Sequence, residues 1–292
     1  FSRNSFTYVI GQALIGGSAG IYWPTVECSV PFLCRSINRL KAYALVRTSE
    51  ASGIFIGVFA GSLFNSIYYF KSIYVNDILC MLVIFYLIIR NNNVIERAIK
   101  KTSIGKSKEA SLQRFYWHKS TNLIIASIIL ITICLALFQV TLPLDFVKGG
   151  VYRRPINEEL TRYIISYQLI LLFLMQWPLG SWISKKGRFL GLKITLISFC
   201  IGTLLLYISN LFDISGIYLM IFAITLFSLG TAAFLPSSTD ILLSIAPTNK
   251  KGFALALLSQ CFALGYFGPL IAGNIIDKYN NLSIIWIYIS IF

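Results

Sequence analysis

The sequence predicts an all-α membrane protein, a polytopic helical bundle. Of its 292 residues, 57% are hydrophobic and only 12% are charged, whereas soluble domains carry about 25% charged residues. Apolar runs of about 17–25 residues, long enough to cross a bilayer, recur along the whole chain. Stretches such as Leu123–Leu137 lack the alternation of apolar and polar residues that membrane barrels need. This composition excludes a soluble enzyme and a disordered chain.

Eight spans are predicted in order, and a partial ninth begins at residue 282. Pro, Gly, Asn and charged residues interrupt the apolar runs, which is typical of loops between helices. Gly and Pro inside a run do not argue against a helix, because bundled membrane helices tolerate both. The predicted spans cover residues 7–30, 42–66, 72–89, 121–146, 161–183, 189–211, 216–243 and 252–276.

The basic residues predict the orientation of the spans. The chain has 25 Lys and Arg against 11 Asp and Glu, a formal net charge of +14. Seventeen of the 25 cations fall in the loops that follow the first, third, fifth and seventh spans or, for Lys193, just beyond such a loop. The positive-inside rule places these loops in the cytoplasm, so we expect a multi-pass protein, with the bacterial inner or plasma membrane as the favoured location. Nucleic-acid binding is not favoured, because the charges do not form one soluble face.

An internal repeat predicts two halves that run in the same direction. Residues 16–24, which end in Trp-Pro, correspond to residues 228–236, which end in Leu-Pro, and Ser49-Glu50 corresponds to Ser259-Gln260. The offset stays between 210 and 212 residues, and parallel halves of this kind are a transporter architecture. The predicted organisation is three helices of a first half (1–89), a basic cytoplasmic connector (90–120), and five helices plus a partial sixth (121–292).

The loop Gly180-Ser181-Trp182-Ile183-Ser184-Lys185-Lys186-Gly187-Arg188 is the most specific motif. It resembles the Gly-x-x-x-Asp-Arg/Lys-x-Gly-Arg loop of the major facilitator superfamily, in the copy that joins helices eight and nine. The resemblance implies a secondary transporter with two halves of six helices. The chain would then be a fragment truncated at both ends, from about the fourth helix to the twelfth. Ser184 replaces the family's acid, which weakens any charge lock there, and the candidate gating residues are Gly180, Lys185, Gly187 and Arg188.

Two glycine patterns partly match a helix of the family's antiporters. The first half has glycines every four residues, and the second half reads Gly-Pro-Leu-Ile-Ala-Gly at 268–273. Small residues at such spacing let helices approach closely, and this interpretation is preferred over a diagnosis of antiport. The candidate packing residues are Gly53, Gly57, Gly61, Gly268, Pro269 and Gly273.

Ionisable residues inside the spans are candidates for the mechanism, because a charge at mid-bilayer costs about 2.5–3.5 kcal/mol. Glu27, Arg47, Glu50 and Asp240 are singled out on this ground. Arg47 and Glu50 share a helix face, and Glu50 is predicted near the midplane, where transporter sites lie. Two interpretations stay open: structural pairing of Arg47 with Glu50 or Glu27, or a role in substrate or proton coupling. Glu27 and Asp240 lie nearer the cytoplasmic ends, where gating or helix-end pairing is favoured.

Further polar side chains are candidate lining of a central cavity. Some of them could equally bond back to their own helices, as Ser and Thr in membrane helices often do. They are Gln139, Gln168, Gln176, Gln260, Ser237, Ser238 and Thr239.

The resemblance implies transport of a small solute by alternating access, with proton coupling and direction left open. No nucleophile–base grouping, phosphate-binding loop or metal cluster is present, so we expect no enzyme, no cofactor and no metal. The six cysteines show no paired spacing and are interpreted as buried apolar residues. The expected partners are the solute, protons as one option, and membrane lipid, with the chain monomeric. The alternative is a transport-inactive sensor or scaffold whose loop 90–119 binds a partner.

The predicted topology can be tested by cysteine labelling of intact cells. A membrane-impermeant maleimide should label Tyr152→Cys from outside, whereas Ser103→Cys should react only after permeabilisation. The unsubstituted chain measures the background from the six native cysteines. Labelling of Ser103→Cys in intact cells would show that the orientation is reversed.

Overall fold

The computed structural model describes residues 5–34, 38–63, 78–87, 89–91, 119–213, 215–246, 250–279 and 283–291. These ranges are almost entirely helical and contain no strand. Ser5–Leu33 is α1, Arg39–Leu63 is α2, and the described residues 78–87 and 89–91 form α3. The later helices are α4 Lys119–Lys148, α5 Glu158–Lys186, α6 Phe189–Ser209, α7 Ser215–Ile245, α8 Lys251–Gly265, α9 Phe267–Tyr279 and α10 Ser283–Ile291.

Five helical segments in the described part of the chain are long and apolar enough to cross a membrane. They are Thr121–Lys148, Glu159–Lys186, Phe189–Ser209, Ser215–Ile245 and Lys251–Lys278. These segments coincide with the fourth to eighth predicted spans, so the predicted all-α polytopic class is confirmed. Helices α1 and α2 have 29 and 25 residues and coincide with the first two predicted spans. Most of the predicted connector lies outside the described residues.

The eighth predicted span is interrupted at Tyr266, between α8 and α9. Pro269 explains the interruption, because a proline has no backbone N–H to donate to the carbonyl four residues earlier. That carbonyl belongs to Gly265, the last residue of α8. The Tyr266 N–H still donates to Phe262 O at 3.3 Å, so the helix direction continues through the break.

Helix α7 lies at the centre of the second half and packs against α5, α6 and α8. Phe227 of α7 is buried and stacks on Phe138 of α4, with 4.1 Å between ring centroids. Thr195 of α6 donates its hydroxyl to the carbonyl oxygen of Gly230 at 2.9 Å. This close approach is possible because Gly230 has no side chain where the ring of Phe199 lies.

Helices α1 and α2 pack against the second half of the chain. Helix α2 contacts α5 and α7, and α1 contacts α8. Tyr43 of α2 is buried and donates its hydroxyl to Glu27 O of α1 at 3.0 Å. Many large apolar side chains on the outer faces are exposed, including most of those described in α3. Such exposure is expected of helix faces that contact lipid rather than water.

The close α6–α7 contact predicts that a substitution of Gly230 lowers the stability of the protein. A Cβ at this position would lie 2.6 Å from Phe199 Cε1, so Gly230→Ala should overpack the interface and cost about 1–3 kcal/mol. We expect a lower Tm for this variant in detergent micelles.

Gly273→Ala is the matched control, because a Cβ at Gly273 would meet nothing within 4 Å. Both changes place alanine in a helix, so intrinsic helix propensity favours both equally. Equal Tm values for the two variants would contradict the described α6–α7 packing.

Candidate functional site

A cavity of about 600 Å³ lies between helices of both predicted halves. Its walls come from α1 and α2 on one side and from α4, α5, α7 and α8 on the other. The volume falls in the range of small-molecule sites. Its lining includes Trp23, Glu27, Arg47, Glu50, Thr132, Gln139, Gln176, Thr231, Leu235, Ser259, Phe262 and Tyr266.

The centre of the first-half wall is a charged triad of Glu27, Arg47 and Glu50. Arg47 Nη1 donates to Glu50 Oε2 at 2.8 Å, and Arg47 Nη2 donates to Glu27 Oε1. The guanidinium also lies 5.3 Å from the ring centroid of Trp23, within cation–π distance. Both pairings anticipated from the sequence are therefore formed at the same time.

The two carboxylates of the triad differ in exposure. The side chain of Glu27 is 6% exposed and that of Arg47 is 9% exposed, whereas that of Glu50 is 26% exposed. The spacing explains the shared arginine, because residues three apart lie on one helix face and α1 presents Glu27 to that face. Glu50 is thus the acid of the triad that a solute in the cavity can reach most easily.

The predicted lining residues divide into two groups. Gln139 and Gln176 line the cavity together with the triad. Ser237, Ser238 and Thr239 are buried within α7, and Gln168 and Gln260 also lie outside the cavity lining. The structure therefore brings together five of the predicted pathway residues: Glu27, Arg47, Glu50, Gln139 and Gln176.

Gln260 does not occupy the place in α8 that Glu50 occupies in α2. The lining residues Arg47, Glu50, Ala51 and Ile54 correspond to Ser259, Phe262, Ala263 and Tyr266 at a constant offset of 212 residues. The sequence comparison had paired Glu50 with Gln260 at an offset of 210. Two residues along a helix turn the side chain by about 200°, so Gln260 points away from the cavity and is exposed.

A second charged cluster lies at the end of the bundle that is predicted to be cytoplasmic. Asp240 of α7 is 2% exposed. Its Oδ1 lies 3.5 Å from Arg39 Nε of α2, and its Oδ2 lies 3.3 Å from Arg188 Nε. Arg188 belongs to the glycine-containing loop between α5 and α6, so one carboxylate joins that loop to helices of both halves.

The predicted loop motif is mostly helical, because residues 180–186 form the end of α5. The structure explains both glycines of the motif. Gly187 has φ of +122°, a backbone conformation that residues with a Cβ rarely adopt. A Cβ on Gly180 would overlap the Cβ of Ala44 in α2, so Gly180 permits the contact between α5 and α2. Lys185 is exposed. Sequence analysis noted that Ser184 stands where the family's motif has an acid. It did not predict that Asp240 of α7 would supply a carboxylate for Arg188.

The six packing residues predicted from the glycine patterns lie in different surroundings. A Cβ on Gly268 would meet Ile133 Cγ2 at 2.9 Å, so Gly268 does approach α4 closely. In the described part of the chain a Cβ on Gly53, Gly57 or Gly273 would meet nothing within 4 Å. Pro269 interrupts its helix as described above, and the surroundings of Gly61 lie outside what the structure describes.

Sequence reasoning missed a third buried ion pair, between Asp145 and Arg153. Arg153 Nη2 donates to Asp145 Oδ2 at 2.7 Å, and Nη1 donates to Ser209 Oγ at 3.1 Å. Asp145 is 0% and Arg153 is 3% exposed. The pair holds the loop after α4 against the end of α6. The sequence feature that could have indicated this pair is Asp145 itself, an aspartate just inside the end of the span predicted at 121–146.

The helices, the cavity and the paired intramembrane charges define a polytopic α-helical membrane protein with a solute-sized central site. Residues 155–292, which hold α5 to α10, match the family model described as Major Facilitator Superfamily. No curated protein matches the chain. The match confirms, over residues 155–292, the resemblance seen in the loop motif. The Major Facilitator Superfamily is a family of generally non-enzymatic membrane transporters of small solutes. The triad lies outside the matched residues.

The triad predicts that loss of Arg47 lowers the stability of the protein and that a second substitution, at Glu27, restores most of it. Arg47→Leu leaves Glu27 buried without its cation, and breaking a buried pair costs about 3–5 kcal/mol. The double variant Arg47→Leu/Glu27→Leu removes both charges and should recover most of the loss, measured as Tm in detergent micelles.

Arg154→Leu is the matched control for loss of an arginine. Arg154 pairs with Asp213 at 3.2 Å, but its side chain is 84% exposed, and exposed pairs contribute about 0–1 kcal/mol. A double variant as unstable as Arg47→Leu would contradict the role of Glu27 as the partner of Arg47.

Proposed function

We propose that the chain is part of a secondary active transporter that moves a small solute by alternating access. The observation that carries this proposal is the cavity between the two predicted halves, which has charged groups on its wall. In parallel two-half transporters the halves rock about a central site and expose it to each side in turn. The predicted divisions 1–89, 90–120 and 121–292 serve as first half, connector and second half.

Glu50, Arg47 and Glu27 form the proposed substrate and proton pathway, together with Gln139 and Gln176. Glu50 is the exposed end of the triad, so a proton or a solute that binds Glu50 weakens its bond to Arg47. Arg47 keeps its bond to Glu27 meanwhile, and its charge stays compensated. The triad can therefore exchange one partner without leaving an unpaired charge in the membrane, which would be costly.

The Asp240 cluster is the proposed gate on the cytoplasmic side of the cavity. Arg39, Asp240 and Arg188 connect α2 to α7 and to the loop after α5, and the contact of Gly180 with Ala44 lies beside them. Opening this side requires α2 to separate from α5 and α7, so the ion pairs stabilise the closed arrangement. In this proposal Lys185 and Gly187 shape the loop that carries Arg188.

The cavity also supports transport over the alternative of an inactive sensor or scaffold, which would be expected to have a collapsed cavity. The protein is proposed to act as a monomer in a bacterial inner or plasma membrane. Uptake and efflux are both compatible with the triad, because alternating access works in either direction.

The proposal predicts flux in vesicles that contain the full-length protein. Radiolabelled small solutes should accumulate in a protein-dependent manner, and a proton ionophore should reduce the accumulation if protons drive it. Glu50→Gln should abolish the ionophore-sensitive component, because a glutamine cannot carry the proton. Initial rates of uptake provide the measurement.

Asp213→Asn is the control, since Asp213 is an acid outside the cavity. Flux that is unchanged by the ionophore and by Glu50→Gln would contradict the proposed coupling role of Glu50. Absence of protein-dependent flux for every solute tested would favour the sensor or scaffold.

A further inference from the structure

The cavity wall carries one more negative charge than positive charge. Among the lining residues that the structure describes, the charged ones are Glu27, Arg47 and Glu50. With all three ionised their sum is −1. In a surrounding of low dielectric constant an uncompensated charge interacts strongly with any charge that enters. The cavity therefore attracts a cation and repels an anion.

The positive charge of Arg47 is already compensated by two carboxylates. Its Nη1 donates to Glu50, its Nη2 donates to Glu27, and Trp23 lies near the guanidinium. An anionic solute at this guanidinium would be a third negative group around one positive charge, so Glu27 and Glu50 would repel it.

Two hydroxyl groups of the lining, those of Thr132 and Ser259, present acceptors rather than donors. Thr132 Oγ1 donates to Ile129 O at 2.8 Å and lies 3.0 Å from Cys261 O, and Ser259 Oγ donates to Leu255 O at 3.2 Å. Each hydroxyl has a single hydrogen, so only its lone pairs remain for a solute. These two side chains therefore suit a solute that carries N–H donors.

Gln176 adds an acceptor that has no partner among the described residues. Its Nε2 donates to Ala232 O at 3.4 Å, while its Oε1 is buried and makes no hydrogen bond. A buried acceptor in this state costs about 1–3 kcal/mol. A donor that reaches this wall of the cavity would remove that cost.

We propose that the cavity takes an amphipathic organic cation with N–H donors, a protonated aromatic amine, whose ammonium group binds Glu50. This inference rests on the proposed transport function and adds the class of solute. The aromatic rings of Trp23, Phe262 and Tyr266 line the same cavity and accommodate an apolar body, and aromatic faces also attract cations. The ammonium takes the place of Arg47 Nη1 at Glu50, while Arg47 stays paired with Glu27.

The test uses three indole compounds that differ mainly in charge. Tryptamine is a cation at neutral pH, tryptophol is neutral and indole-3-propionate is an anion. Equilibrium binding to the full-length protein in detergent micelles should be tightest for tryptamine and weakest for indole-3-propionate. Glu50→Gln should weaken tryptamine binding about tenfold, because the charge that holds the ammonium is lost, and should leave tryptophol binding within about twofold.

Two further variants separate charge from folding. Glu50→Asp keeps the carboxylate and should retain most of the tryptamine binding, and Asp213→Asn removes an acid outside the cavity and should have no effect. The proposal is overturned if indole-3-propionate binds best, if none of the three compounds binds, or if Glu50→Gln weakens all compounds equally.

The binding assay and the flux assay test the solute class and the transport function separately. Cation-selective binding without flux in vesicles would retain the solute class and remove the transport function. Flux of neutral or anionic solutes with no preference for tryptamine would retain transport and remove the solute class.

Discussion

A buried ionised side chain inside a membrane protein is costly unless an opposite charge, hydrogen bonds or a water-filled cavity compensates it, because neither lipid nor a packed helix interface can solvate it. The buried charges described here satisfy this constraint through partners supplied mostly by other segments of the chain. Each ion pair or cluster therefore also determines which segments lie next to each other. These contacts are Glu27–Arg47–Glu50, Arg39–Asp240–Arg188 and Asp145–Arg153.

Helix α2 connects the proposed gate to the proposed binding site. Arg39 contacts Asp240 near the start of α2, and Arg47 holds the triad eight residues later. At 1.5 Å per residue these arginines are about 12 Å apart along the helix. The contact of Ala44 with Gly180 lies between them. A movement of α2 away from α5 and α7 would change both ion clusters together, which gives a direct physical route for coupling between gate and site.

The cavity-lining positions of α2 and α8 follow the same spacing, at an offset of 212 residues, but differ in chemistry. Where α2 presents Arg47 and Glu50, the equivalent positions of α8 present Ser259 and Phe262. One wall is therefore charged and the other is apolar with hydroxyl groups. A cavity of this kind can hold an ammonium group at one wall and an aromatic body at the other.

Hydropathy and loop charge predicted the helices, and the loop motif predicted the family over residues 155–292. These properties are local, because every backbone hydrogen bond of a membrane helix is made within its own segment. The pairing of Arg47 with Glu50 was also predictable, since residues three apart share a helix face. The partners of Asp240 and Arg153 were not predictable in this way, and neither was the register that places Phe262 rather than Gln260 in the cavity. These contacts join residues up to 201 positions apart, and they depend on how each helix is rotated and docked against its neighbours, which a local pattern does not specify.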